Sequence, residues 1–279
     1  MGAEALLRAA VINNARWCDA VCRSHGYPGE FTGRLWISVG HALPFYPNAI
    51  TLSPEATAAD TQATRAPGRA YAVKDSFARL DLASEGLALL FDADWIAWET
   101  APPERPPADD LSWKAVTDAA QLARWEAAWA AGADVSGLFL ADLLSDPGCV
   151  FLGCYRDGVL AGGAIAYTAA QVTGISNVFK TGLPDGLLWP SAVRAVPRCA
   201  PGCPSSATRA ARTWPRPVRS AAGSSGRCAS GPADQPFRSW ATIASACAMV
   251  SPLRSGMGTI WRPPARKTTW SLRQARRSG

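Results

Sequence analysis

Acidic residues all but stop at Asp185, and that break limits what this chain can fold into more than any motif in it. Up to Pro190 there are 13 Lys+Arg and 21 Asp+Glu, a net of −8; from Ser191 onward there are 15 basic residues and one acid, Asp234, a net of +14. Of the 89 residues in that second stretch, 60 are Ala, Arg, Pro, Ser or Gly. Hydrophobic periodicity disappears with the acids. Such a composition buries too little apolar area to offset chain entropy, so residues 197–279 are expected as a disordered basic tail. A change of reading frame near Val196 gives the same composition, because GC-rich coding DNA read out of register yields mostly these residue types. Cys203-Pro-Ser-Ser-Ala-Thr208 back-translates so that a one-base move encodes Leu-Pro-Val-Val-Gly-Tyr, a buried-strand pattern. Sequencing the gene around codon 196 decides between a native tail and a shifted frame.

The remaining chain is ordinary by comparison. Hydrophobic residues make up 48% of the whole and charged residues 18%, enough for a packed core. The start, Met1-Gly-Ala-Glu-Ala-Leu-Leu-Arg8, lacks a basic region followed by an apolar run, and Ala241 to Val250 is too short for a membrane span. The eight cysteines show no framework spacing. Free thiols in a reducing, cytoplasmic compartment are expected, with no membrane partner.

The elements read as a mixed α/β (α+β) protein. Leu7, Ala10, Val11, Trp17, Cys18 and Val21 recur at helical spacing, which predicts a helix over 4–24, ended by Gly26 and Pro28. Arg34–Val39 and Ala49–Leu52 are short strand candidates, and Thr57–Thr64 is weakly helical. Leu87, Leu89, Phe91, Ala93 and Trp95 alternate on one face and Asp92 and Asp94 sit on the other, as in a half-buried strand. Residues 101–110, rich in Pro and charge, read as a linker, so 1–100 is expected as an N-terminal α/β domain. Beyond it, Asp118 with Gln121 opens a helix whose face carries Leu122, Trp125 and Trp129. Val150–Tyr155 and Val159–Tyr167 flank Asp157-Gly158, the pair a two-residue hairpin turn favours. Val172–Phe179 is a third strand, Gly182, Pro184 and Gly186 mark a loop, and a helix begins within 187–196.

Candidate functional residues each have an ordinary structural counterpart. Cys18, Cys22 and His25 fall on one helical face, but metal binding needs further ligands, and buried thiols are the plainer reading, so no metal is expected. Cys199, Cys203, Cys228 and Cys247 lie in the tail with weak spacing. Lys74-Asp75-Ser76 reads as a polar site or as a cap. Asp92 and Asp94 share one side of a strand, as an acid–base pair or as a solvated face. The arginines with Trp214, Trp240, Trp261 and Trp270 allow salt-sensitive sticking to nucleic acid, but form no motif for specific binding.

Helix, hairpin, third strand, Gly-containing loop and helix, in that order over 111–196, resemble the core of the GNAT (GCN5-related) N-acetyltransferases. Gly153-Cys-Tyr-Arg-Asp-Gly-Val-Leu-Ala-Gly-Gly-Ala-Ile-Ala-Tyr167 looks like that family's middle hairpin, and Gly174-Ile-Ser-Asn-Val-Phe179 like the strand beside the pantetheine arm. The resemblance implies an incomplete GNAT-like mixed sheet with flanking helices behind an accessory domain. It also implies acetyl-CoA as co-substrate and a small-molecule amine as acceptor. Ser176, Asn177, Val178, Phe179, Lys180, Thr181 and Gly182 would be its binding residues; no catalytic base is singled out. The chain departs from the family where an Arg/Gln-x-x-Gly-x-Gly/Ala loop should hold the pyrophosphate. Phe179-Lys-Thr-Gly-Leu-Pro-Asp-Gly-Leu-Leu-Trp189 stands there instead, and Pro184 removes a donor. Impaired acetyl transfer is therefore one expectation, and a non-catalytic binding protein on a degenerate GNAT scaffold is the other.

Overall fold

A computed structural model of the chain describes residues 2–40, 43–67, 71–98, 111–133, 135–183, 191–193, 195–196, 247–250 and 268–275. It is a mixed α/β protein built on one sheet. The first helix, α1 (Ala3–Ser24), is followed by β1 (Gly29–Phe31), β2 (Leu35–Ser38), β3 (Ala49–Thr51), the short α2 (Ala58–Gln62), β4 (Ala72–Asp75) and β5 (Leu87–Trp98). Then come β6 (Leu111–Ala115), α3 (Ala119–Ala130), a 3-10 turn (Ala141–Ser145), β7 (Cys149–Arg156), β8 (Val159–Ala169) and β9 (Val172–Lys180). Residues 191–193 and 195–196 are helical, inside the stretch where the sequence predicts a helix to begin.

The local signals explain most of these elements. The Asp118 carboxylate accepts from the Gln121 N–H at 2.8 Å and starts α3. Thr57 and Asp60 cap each other reciprocally at the head of α2. Asp157 and Gly158 both take positive φ, 51° and 79°, in the turn between β7 and β8.

The sheet runs β1-β2-β3-β4-β11-β5-β10-β9-β8-β7-β6, where β10 is Cys247–Val250 and β11 is Thr268–Ala275. These two strands come from the tail, for which composition predicts no regular structure. The reason is local. Cys247-Ala-Met-Val250 is part of the only sustained apolar run there, and Thr268, Trp270 and Leu272 alternate with polar neighbours. The body also leaves edges for them: β11 fills the space between β4 and β5, and β10 that between β5 and β9. The rest of the tail, with Cys199, Cys203, Cys228, Trp214, Trp240 and Trp261, lies outside the described residues, as does 101–110.

Two layers cover β7–β9. On one face α1 and α3 bury Trp17, Trp125, Trp129, Phe139, Phe151, Ile165 and Tyr167 in a single core. On the other, Ala192, Val193 and Val196 pack on Leu152, Ala164, Ala166 and Ile175. The first helix is thus tied to strands far along the chain. The Asn13 amide of α1 donates to the carbonyls of Tyr167, Ala169 and Val172 at 2.8, 3.2 and 3.0 Å, clamping the β8–β9 turn.

Candidate functional site

Alternation along β9 breaks once. Val172 faces the α1/α3 core and Ile175 the opposite layer, which in an unbroken strand would send Phe179 the same way as Ile175. Instead Phe179 lies in the α1/α3 core, and Val178 packs on the other side. The register with β8 shows why. Ile165 pairs with Ser176 and Gly163 with Phe179, so the single residue Ala164 opposes both Asn177 and Val178. This is a β-bulge, and Asn177 takes φ 52° in it, a conformation that asparagine tolerates better than most residues. A bulge leaves the extra residue's backbone out of the ladder and turns it aside.

Among the described residues the other edge of β9 also lacks a strand partner there. β10 pairs only with Thr173, Gly174 and Ile175, and among the described residues no strand continues that pairing beyond Ile175. Among the described residues, the bulge and an edge without a strand partner coincide at Ser176–Val178. Those residues are half-buried, and the Asn177 amide donates to Ser176 Oγ at 3.0 Å. An extended ligand bearing amides can pair with such an edge as an added strand does.

Of the seven residues predicted to bind a ligand, Ser176, Asn177 and Val178 stand at this bulge. Phe179 is a core residue, its ring edge-on to Trp125 at 5.0 Å. Lys180, Thr181 and Gly182 follow on the surface. Thr181 is held by its N–H to the Ala161 carbonyl and its hydroxyl to the Leu160 carbonyl, and Gly182 turns the chain with φ 72°. Residues 184–190, the remainder of the loop in the phosphate-binding position, lie outside the described residues.

The other candidates resolve differently. Asp75 is a cap: its carboxylate accepts from Thr51 Oγ1 and from the backbone N–H groups of Phe77, Arg79 and Leu80. Lys74 is buried, its ammonium 2.7 Å from Asn14 Oδ1 and 4.6 Å from the Trp95 ring centre. Cys18 and Cys22 are buried thiols, and His25 Nε2 hydrogen-bonds the Leu138 carbonyl at 2.9 Å. Burial pushes the Cys22 thiol up to about 11; the Asp19 carboxylate adds to this and the Ser38 contact opposes it. Among the described residues no group of three or more His, Cys, Asp or Glu side chains could hold a metal. Nor is any described helix long and apolar enough to cross a membrane. Asp92 and Asp94 lie on β5, in register with Ser271 and Thr269, and their side chains lie outside the described part, as does that of Trp270.

Two residues packed against Phe179 are not singled out by sequence reasoning. Gly163 lies opposite Phe179, and Trp125 covers it. Trp125 is readable only as one of several aromatics on a helical face. The signal for Gly163 was its place inside an apolar strand, which marks close approach by a neighbour.

No family model matches the chain, and no curated protein matches it. Among solved structures it is similar to a GCN5-related N-acetyltransferase from Kribbella flavida, at 14% identity over 97% of this chain and 96% of that one, with a TM-score of 0.49.

Proposed function

We propose that this chain is a GNAT-like, acyl-CoA-dependent N-acyltransferase, with acetyl-CoA as donor and a small amine as acceptor. The observation that carries this reading is the bulge at Asn177 beside an edge of β9 that no described strand covers beyond Ile175. The element order β6, α3, 3-10 turn, β7, β8, β9, helix agrees with it.

The donor supplies a thioester carbonyl activated for attack and a pantetheine arm with two amides. The chain's part is to pair with that arm. Backbone groups at Ser176–Val178 bond the amides and hold the carbonyl within reach of the amine, which converts an encounter into a positioned reaction. In the transfer a C–N bond forms as the C–S bond breaks. The amine proton passes to a base or to water, and the departing thiolate takes up a proton. Lys180 places a positive charge at the end of the strand, on the side where the phosphates of the donor would follow.

Isothermal titration of acetyl-CoA into the full chain tests the reading. A Kd in the micromolar range is expected. No heat at millimolar acetyl-CoA would overturn donor binding and leave the alternative, a non-catalytic scaffold, which the lack of the Gly-x-Gly phosphate loop favours.

A further inference from the structure

Beneath the bulge in β9 lies a tightly packed aromatic layer. Trp125 leaves α3 and lies against the sheet, donating its indole N–H to the Leu152 carbonyl of β7 at 2.9 Å. Its ring meets Phe151 at 5.2 Å and Phe179 at 5.0 Å, both nearly perpendicular. On β8, between those strands, stands Gly163. A Cβ there would lie 2.4 Å from Trp125 Nε1, 2.5 Å from Phe179 Cε1 and 2.8 Å from the Leu152 carbonyl oxygen. The indole and the phenyl ring therefore share the space that any other side chain at 163 would fill.

Phe179 reaches that space only because one extra residue precedes it. Without the bulge the two-residue repeat turns Phe179 to the opposite layer and Val178 under the indole. Burying a phenylalanine against a tryptophan in place of a valine favours the bulged register, through larger apolar area and the edge-to-face contact. Asn177 absorbs the extra residue at positive φ.

We infer that Trp125, Gly163 and Phe179 act as positioning residues that fix the Asn177 bulge, and that affinity for the acyl donor follows the bulge. This rests on the donor-binding reading above. All three are buried in the core. They act by deciding which way the backbone of Ser176–Val178 faces.

The test is Gly163→Ala in the full chain, read two ways. Backbone chemical shifts and the HN–Hα coupling of Asn177 report its φ, and titration with acetyl-CoA reports affinity. The expected result is loss of the positive-φ signature together with a Kd raised by about tenfold or more, the scale of one lost hydrogen bond or more. If Gly163→Ala does not fold, Trp125→Phe serves: it keeps a ring but drops the indole N–H, and the same two readouts should move together by a smaller factor. Retention of the Asn177 signature in a folded variant overturns the inference, as does its loss with unchanged affinity. If the wild-type chain takes up no acetyl-CoA, the donor reading fails by itself, and the link from Gly163 to Asn177 still stands or falls on the shift data.

Discussion

Asp75 devotes its carboxylate to its own turn. It is fully buried, yet four donors converge on it, three of them backbone N–H groups of the five residues that follow. Replacing it by alanine leaves those donors without a partner inside the protein, so Asp75→Ala should destabilise the fold by about 2–4 kcal/mol. Urea unfolding monitored by circular dichroism measures this; a change under half a kilocalorie would show that water replaces the carboxylate. The thiols and phenols make a second residue-level prediction. Burial raises Cys22 to about 11 against 9.0 for an exposed thiol, Tyr167 to about 12 against 10.0 for an exposed phenol, and pushes Cys149 and Tyr46 well up. Below about pH 9 both folded and unfolded chains keep these protons. Above it the unfolded chain releases protons that the fold retains, so stability falls, by up to about 1.4 kcal/mol per pH unit for each such group. The loss should begin near pH 9 with the thiols and steepen near pH 10 with the phenols. Thermal unfolding at pH 7.5 and at pH 10.5 reads it, and an unchanged Tm would mean that the thiols are open to solvent.

At the level of elements, one side chain of α1, Asn13, hydrogen-bonds the β8–β9 turn. Asn13→Ala strips three carbonyls of their donor and should cost about 1–3 kcal/mol. Amide exchange in that turn should accelerate with it. The turn itself is poorly served by its sequence: Ala170 and Gln171 both take positive φ, 52° and 65°. Asn-Gly suits that geometry, so Ala170→Asn with Gln171→Gly should add about 0.5–1 kcal/mol of stability, seen as a rise in Tm. These two residues also show the limit of what could be read beforehand. Asp157-Gly158 announced its hairpin because its residue types want positive φ; Ala170-Gln171 made the same turn without that signature. Likewise α1, β5 and the β7–β8–β9 meander were legible from periodicity, whereas β1, β4 and β6 were not. Three to five residues, as in Gly29–Phe31, carry too few positions to establish alternation. In the candidate site the segment Ser176–Gly182 was legible as a strand end. The bulge was not, because it follows from Phe179 finding room beneath Trp125 over a glycine on the neighbouring strand, a contact that no local pattern encodes.

Taken as a whole, the molecule is a sheet whose middle interleaves β5 with two strands from much later in the chain. β11 lies between β4 and β5, and β10 between β5 and β9, so the strands of residues 247–250 and 268–275 join the two parts of the body. Deleting residues 197–279 would open edges on β4, β5 and β9 at once, and open edges recruit other chains. The truncated protein should elute as aggregates on size exclusion and lose a single cooperative melt. A monomer with the full-length Tm would show that β10 and β11 contribute nothing to stability.

The position of β11 also sets a clock for synthesis. About 170 residues separate the end of β5 from the start of β11. At roughly 5–20 residues per second the ribosome needs on the order of ten to thirty seconds to cover that distance. Throughout that interval β4 and β5 wait without the neighbour that joins them, and nascent chains of this protein should be correspondingly dependent on holdase chaperones.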